Sequence, residues 1–254
     1  VVNLPSKKSV REKDLAKYTI FLYGREKIGK TSLAAQFPDA LFLMFEPGAK
    51  SLEIYRADIN KWADLIDVYA QLQNTDRFKT IIIDTVDLMF KYCSDYMCKR
   101  LAIDHPSDEE WGKGYELVKD EFARYVSALG KLGRGVVYIS HAKEASIKRL
   151  KGDSYLISPT LSKQGRAILE PMVDVWGYYG YDGGKRFLQI KGNEEINAGC
   201  RLTQNFIGVN KVDMGDTVET AYTNFVEAFN SKEEVAAQSQ PMQKARRRMV
   251  IRKK

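Results

Sequence analysis

The chain is poor in the residues that build metal and disulfide scaffolds, with three cysteines and two histidines among 254 residues. Cys93 and Cys98 lie five apart, Cys200 is remote, and there is no C-x-x-C pair or adjacent histidine. That pattern argues against both a disulfide framework and a zinc site. Long apolar runs are missing too; none approaches the roughly 20 residues a helix needs to span a bilayer. Val1 to Lys17 is polar and charged and lacks the apolar stretch of a secretory signal. A cytoplasmic protein without a membrane partner is therefore expected. No internal repeat is visible. The remainder, 44% hydrophobic and 29% charged, is ordinary for a globular chain. Its length suits one large α/β domain, with or without a small appendage.

Charge is unevenly placed. From Ser231 to Lys254 there are eight basic residues against two acids, so this segment holds +6 of the net +7. The body is nearly neutral. A basic tail points toward nucleic acid, because each cation can release a counterion from a phosphate backbone. A solvated end without function is the alternative. The expected division is an arm over residues 1–17, a core over 18–230 and a basic, structureless tail over 231–254.

The most specific feature is Gly24-Arg25-Glu26-Lys27-Ile28-Gly29-Lys30-Thr31, which fits the phosphate-binding pattern G-x-x-x-x-G-K-[ST]. Tyr18 to Tyr23 before it reads as a buried strand, and Thr31 to Gln36 can open a helix. Strand, loop and helix N-terminus make an anion site, with backbone N–H groups aimed at phosphate. Gly24 through Ser32 are the expected nucleotide contacts. Lys30 would reach the β/γ-phosphates and Thr31 would hold Mg²⁺, so ATP and Mg²⁺ are the expected ligands.

Further along, apolar strands alternate with helical spacing, which predicts a mostly parallel sheet flanked by helices. Leu41 to Phe45, Thr80 to Asp84 and Val136 to Ser140 read as strands. Trp62 to Leu72, Leu88 to Met97 and Tyr115 to Leu129 carry helical periods. Ala142 to Arg166 is polar and basic without a sustained period, which reads as a long loop. Asp174 to Tyr181 and Lys185 to Lys191 flank Asp182-Gly183-Gly184, a late antiparallel hairpin signal. Cys200 to Leu202 reads as a further short strand, and Val218 to Phe229 marks a last helix.

Three strand ends carry chemistry. Asp84 closes an apolar strand where a P-loop protein needs its metal-holding acid. Thr85 follows it rather than a glutamate, so the residue acting on water must come from elsewhere. Glu46 ends the strand after the P-loop helix, where strand C-termini converge on a ligand crevice, and can orient or deprotonate the attacking water. A surface acid beside the Pro47-Gly48 turn is the alternative. His141 ends the strand from Val136 and can sense the γ-phosphate, with Ser140 a weaker choice.

With these residues the chain resembles the RecA core ATPases. More narrowly it resembles the phage-encoded RecA-like ATPases of the Sak single-strand-annealing type. The stretches that carry this are Phe21 to Gly24, Phe45-Glu46-Pro47-Gly48, Ile82-Ile83-Asp84-Thr85, Trp111-Gly112-Lys113-Gly114-Tyr115 and Ile139 to Lys143. The resemblance implies a RecA-like fold, ATP hydrolysis, single-stranded DNA binding, and a ring or filament with ATP between subunits. A single-strand-binding protein is a further partner it suggests, and phage recombination or repair in the host cytoplasm the setting. It assigns a trans-acting cation to Lys191, with Arg201 second, and DNA contacts to Lys143, Lys148, Arg149, Lys151, Lys163 and Arg166. Tyr155 would stack on a base and Tyr55 on adenine. Residues 1–17 would be a polymerisation arm. Other classes remain: an ATP-driven motor, helicase or loader, a binding module without turnover, and a small-molecule kinase.

Overall fold

The computed structural model describes residues 3–149 and 152–239. The elements in chain order are β1 (Thr19–Gly24), α1 (Lys30–Ala34), β2 (Ala40–Met44), β3 (Tyr55–Asp58), α2 (Trp62–Leu72), β4 (Thr80–Asp84), α3 (Val86–Leu101), α4 (Lys113–Gly130), β5 (Gly135–Arg149), β6 (Gly152–Pro159), α5 (Lys163–Leu169), β7 (Val175–Asp182), β8 (Lys185–Gln189), β9 (Gly199–Cys200), β10 (Lys211–Gly215) and α6 (Val218–Ser239). One sheet runs β10-β8-β7-β1-β5-β4-β2-β3, with β6 on β5 and β9 on β7. From β7 to β3 its neighbours are parallel. The pairs β7–β8 and β8–β10 are antiparallel, so the late hairpin is present.

Strand periodicity divides the core. Phe21, Tyr23, Leu43, Ile81, Ile83 and Tyr138 face α2 to α5 on one side. Ile20, Leu22, Phe42, Met44, Ile82 and Ile139 face α1 and α6 on the other. Because both faces are covered, the central strands are continuous apolar runs, which is why they read clearly in sequence. Phe21 stacks on Trp176 with ring centroids 3.8 Å apart, tying β1 to β7. On the α2 to α5 side, the Trp62 indole N–H donates to buried Glu121 at 2.8 Å, and Arg124 also donates to that carboxylate.

The structure departs from expectation in three places. First, β5 does not end at Ser140 or His141; it continues to Arg149 and pairs with β6 from Ala142↔Pro159 outward. The expected loop is thus an antiparallel ribbon followed by a helix, and Lys163 and Arg166 lie on α5 rather than on a loop. Lys143 to Ser146 are all exposed, so no apolar alternation marks that stretch. Second, β3 and β10 are edge strands too short and polar to announce themselves. Third, α6 runs to Ser239, past the expected start of the tail. Lys151 and residues 240–254 lie outside the described residues.

Candidate nucleotide site

The C-terminal ends of β1, β2, β4 and the middle of β5 meet at one edge of the sheet. Gly24 closes β1 directly beside His141 of β5. A Cβ on Gly24 would lie 2.3 Å from the Tyr179 carbonyl oxygen, so only glycine passes between β1 and β7. The loop then turns through Gly29, whose φ of 103° is left-handed, into α1. Lys30 is buried, and its Nζ donates to the carbonyls of Gly24 at 2.9 Å and Arg25 at 2.8 Å. Burial holds this lysine below its ordinary range, while Asp84, Glu46 and Asp87 push it back up.

Thr31 Oγ1 donates to Asp84 Oδ2 at 2.7 Å, joining the first turn of α1 to the end of β4. Asp84 is buried, and burial raises its pKa; the Thr31 bond and Lys30 work against that. Two hard oxygen donors at the mouth of a cleft fit Mg²⁺, which takes few protein ligands and completes its shell with phosphate and water. The cleft, about 380 Å³, is lined by Lys30, Thr31, Glu46, Ser51, Asp84 and His141 among others.

Glu46 stands two residues beyond β2. Thr85 Oγ1 donates to its Oε1 at 2.6 Å, and His141 Nε2 lies 3.4 Å from both carboxylate oxygens. The histidine contact lowers the Glu46 pKa most, Thr85 adds to it, and burial opposes both. In return Glu46 raises the His141 pKa, against burial and repulsion from Lys30. Three residues chosen from separate strand ends are thus brought together, with Thr85 as the fourth member that the sequence offered only as a missing glutamate.

Other expected site residues fall elsewhere. Lys191 is exposed and follows the end of β8, which has by then turned back past the level of Tyr23. Arg201 follows β9 beside the start of β7, where its guanidinium donates to the Pro171 carbonyl and its backbone N–H to the Asp174 carbonyl. Neither reaches this chain's own phosphate loop. Arg186, at the near end of β8, does: its Nε donates to the Ile28 carbonyl at 3.3 Å. Nothing in the sequence marks it, because its reach follows only from the β7–β8 register. Tyr55 pairs with Leu41 at the start of β2, the end of the strand away from the phosphate loop. Its ring meets Arg77 and Phe78 instead, so the adenine-stacking expectation fails on geometry.

On the ribbon, Lys143 is exposed and Tyr155 is 66% exposed, while Lys148 and Arg149 lie in the outer part of β5. Arg25 of the phosphate loop forms an ion pair with Glu144 of the ribbon at 3.1 Å. At the other end Arg166 Nε is buried without a hydrogen-bond partner.

A glycine-rich phosphate loop, a strand-end acid and a polar cleft at the C-terminal edge of a parallel sheet define a P-loop nucleoside triphosphatase core. Comparison with protein families agrees: residues 16–202 match the AAA domain family, and the chain belongs to it. Over 162 residues it is 30% identical to the SPbeta prophage-derived uncharacterized protein YorG of Bacillus subtilis strain 168, covering 60% of this chain and 50% of that protein. The chain therefore spans about half the length of that relative. No helix among the described residues is long and apolar enough to cross a membrane.

Proposed function

We propose that this chain hydrolyses ATP, binds single-stranded DNA, and acts in annealing or recombination of phage DNA as part of a ring or filament. One observation carries the reading. β5 runs without a break from the sheet core, through His141 against Glu46, into a ribbon on which Lys143 is exposed and whose outer part carries Lys148 and Arg149 in sequence. A group placed to feel the γ-phosphate and a group of cations suited to a phosphate backbone share one strand. The prophage origin of the relative agrees with a phage setting.

In this reading Lys30 exchanges its two loop carbonyls for the stronger charge-assisted bonds of the triphosphate. Thr31 and Asp84 would hold Mg²⁺, which neutralises phosphate charge. Glu46 faces the water that attacks the γ-phosphate. Its lowered pKa makes it a poor proton acceptor, so its part is chiefly to orient that water, with ADP and phosphate as products. His141 passes the state of the γ-phosphate to the ribbon, and hydrolysis weakens the hold on DNA. The exposed Lys191 is offered to a neighbouring subunit's nucleotide rather than its own.

The test is steady-state ATP hydrolysis with and without single-stranded DNA, at low and moderate salt, in the wild type, Lys30→Ala and Glu46→Gln. Stimulation by DNA that both variants lose supports the proposal, and annealing of complementary oligonucleotides follows as the next assay. Turnover indifferent to DNA removes the DNA half. Directional unwinding without annealing turns the assignment to an ATP-driven motor or loader.

A further inference from the structure

Thr160, just beyond β6, is bonded to two other elements at once. Its backbone N–H donates to the His141 carbonyl at 2.9 Å. Its Oγ1 lies 2.7 Å from Asp87 Oδ1 and 3.2 Å from the same His141 carbonyl. A hydroxyl has a single proton, and the shorter bond to a charged acceptor takes it. Asp87 belongs to the first turn of α3, where the helix N-terminus favours its charge. The other Asp87 oxygen and His141 Nδ1 are both buried and without partners. A buried acceptor and a buried ring nitrogen left unpaired are costly, so the cluster is not at its best arrangement.

We propose that Thr160 and Asp87 are positioning residues that clamp the His141 backbone and the base of the ribbon to the first turn of α3. A shift of the His141 ring at the γ-phosphate then moves both legs of the ribbon together. The inference rests on His141 as the reporter of the nucleotide, and not on DNA as the ribbon's ligand. The ribbon base has other anchors, since Ile157 N–H donates to the Glu195 carbonyl at 2.7 Å and Tyr23 Oη to the Ile157 carbonyl at 3.2 Å. Loss of the Thr160 hydroxyl therefore loosens the link to α3 without detaching the ribbon.

The experiment is amide hydrogen exchange of residues 142–159, compared between a non-hydrolysable ATP analogue with Mg²⁺ and ADP with Mg²⁺. The variants are Thr160→Val, Thr160→Ser and Asp87→Ala, each first shown to melt with the wild type. The wild type and Thr160→Ser should show the same nucleotide-dependent difference in ribbon exchange. Thr160→Val and Asp87→Ala, which each remove one partner of the bond, should reduce it about fivefold or more, the lower end of measured couplings between sites. A difference that survives in Thr160→Val, is lost equally in Thr160→Ser, or is absent from the wild type overturns the clamp. If DNA fails to stimulate turnover while the exchange difference behaves as stated, the DNA reading falls and the clamp stands.

Discussion

The two halves of β5 follow different rules. From Gly135 to Ser140 every residue is buried, with β1 on one side and β4 on the other. From Lys143 to Ser146 every residue is exposed, and only β6 lies alongside. His141 sits at the boundary, 27% exposed at its side chain. The inner half is constrained by packing, the outer half by its pairing with β6 and by the exposed Arg25–Glu144 ion pair. On the proposed function, a strand that crosses from one regime to the other would carry the state of the nucleotide from the sheet edge to the ribbon.

The largest effect should come from the inner edge. Lys30→Ala should reduce ATP turnover by more than about 100-fold, as loss of a preorganised charge does. Steady-state hydrolysis checks it, and a variant with wild-type turnover breaks the assignment of the phosphate loop. Next, truncation should separate the halves of β5. Ile139→Ala, fully buried, should cost about 2–5 kcal/mol in urea unfolding. Ala145→Ser on the ribbon should stay within about 0.5 kcal/mol. Equal costs would erase the distinction.

A charge change on the outer half should act on binding instead. On the proposed function, Lys143→Glu should weaken single-stranded DNA binding about tenfold and lower the magnitude of the salt slope, since the proposed phosphate contact would be replaced by a repulsion. Fluorescence anisotropy across a salt series reads both quantities.

The boundary itself should respond to pH. Glu46 raises the His141 pKa and is itself lowered in return. The histidine's contribution to stability is present below its ordinary value near 6.5 and is lost as pH rises through the raised folded value. The glutamate's contribution is present above its ordinary value near 4.5 and is lost as pH falls through the lowered one. The melting advantage of the wild type over Glu46→Gln should therefore be largest near pH 5.5 and shrink by pH 8.5. A constant difference would show that the pair is not coupled. A small effect also belongs to Arg25 and Glu144, 73% and 54% exposed at their side chains. A double-mutant cycle should give them no more than about 1 kcal/mol, since solvent screens such pairs.

How much of this was legible follows from the same contrast. Asp84 and Glu46 announced themselves because each follows a continuous apolar run, the signature of a strand covered on both faces. Val136 to Ser140 pointed to His141 in the same way, although there the strand does not end. The ribbon was hard to read because only its base, at Ala142 and Ile157, packs on the core, while Lys143 to Ser146 are exposed and carry no apolar alternation. Thr85 and Thr160 were equally silent, since a threonine's role depends on which carboxylate or carbonyl the fold brings within reach. Arg186 depended on pairing geometry in a hairpin whose presence, but not whose register, could be read.

The most direct test of the account is the affinity for single-stranded DNA with the non-hydrolysable ATP analogue and with ADP, measured in the wild type and in His141→Ala. Binding should be tighter with the triphosphate analogue in the wild type and nearly equal with both nucleotides in the variant. Wild-type binding that is the same with either nucleotide would contradict it.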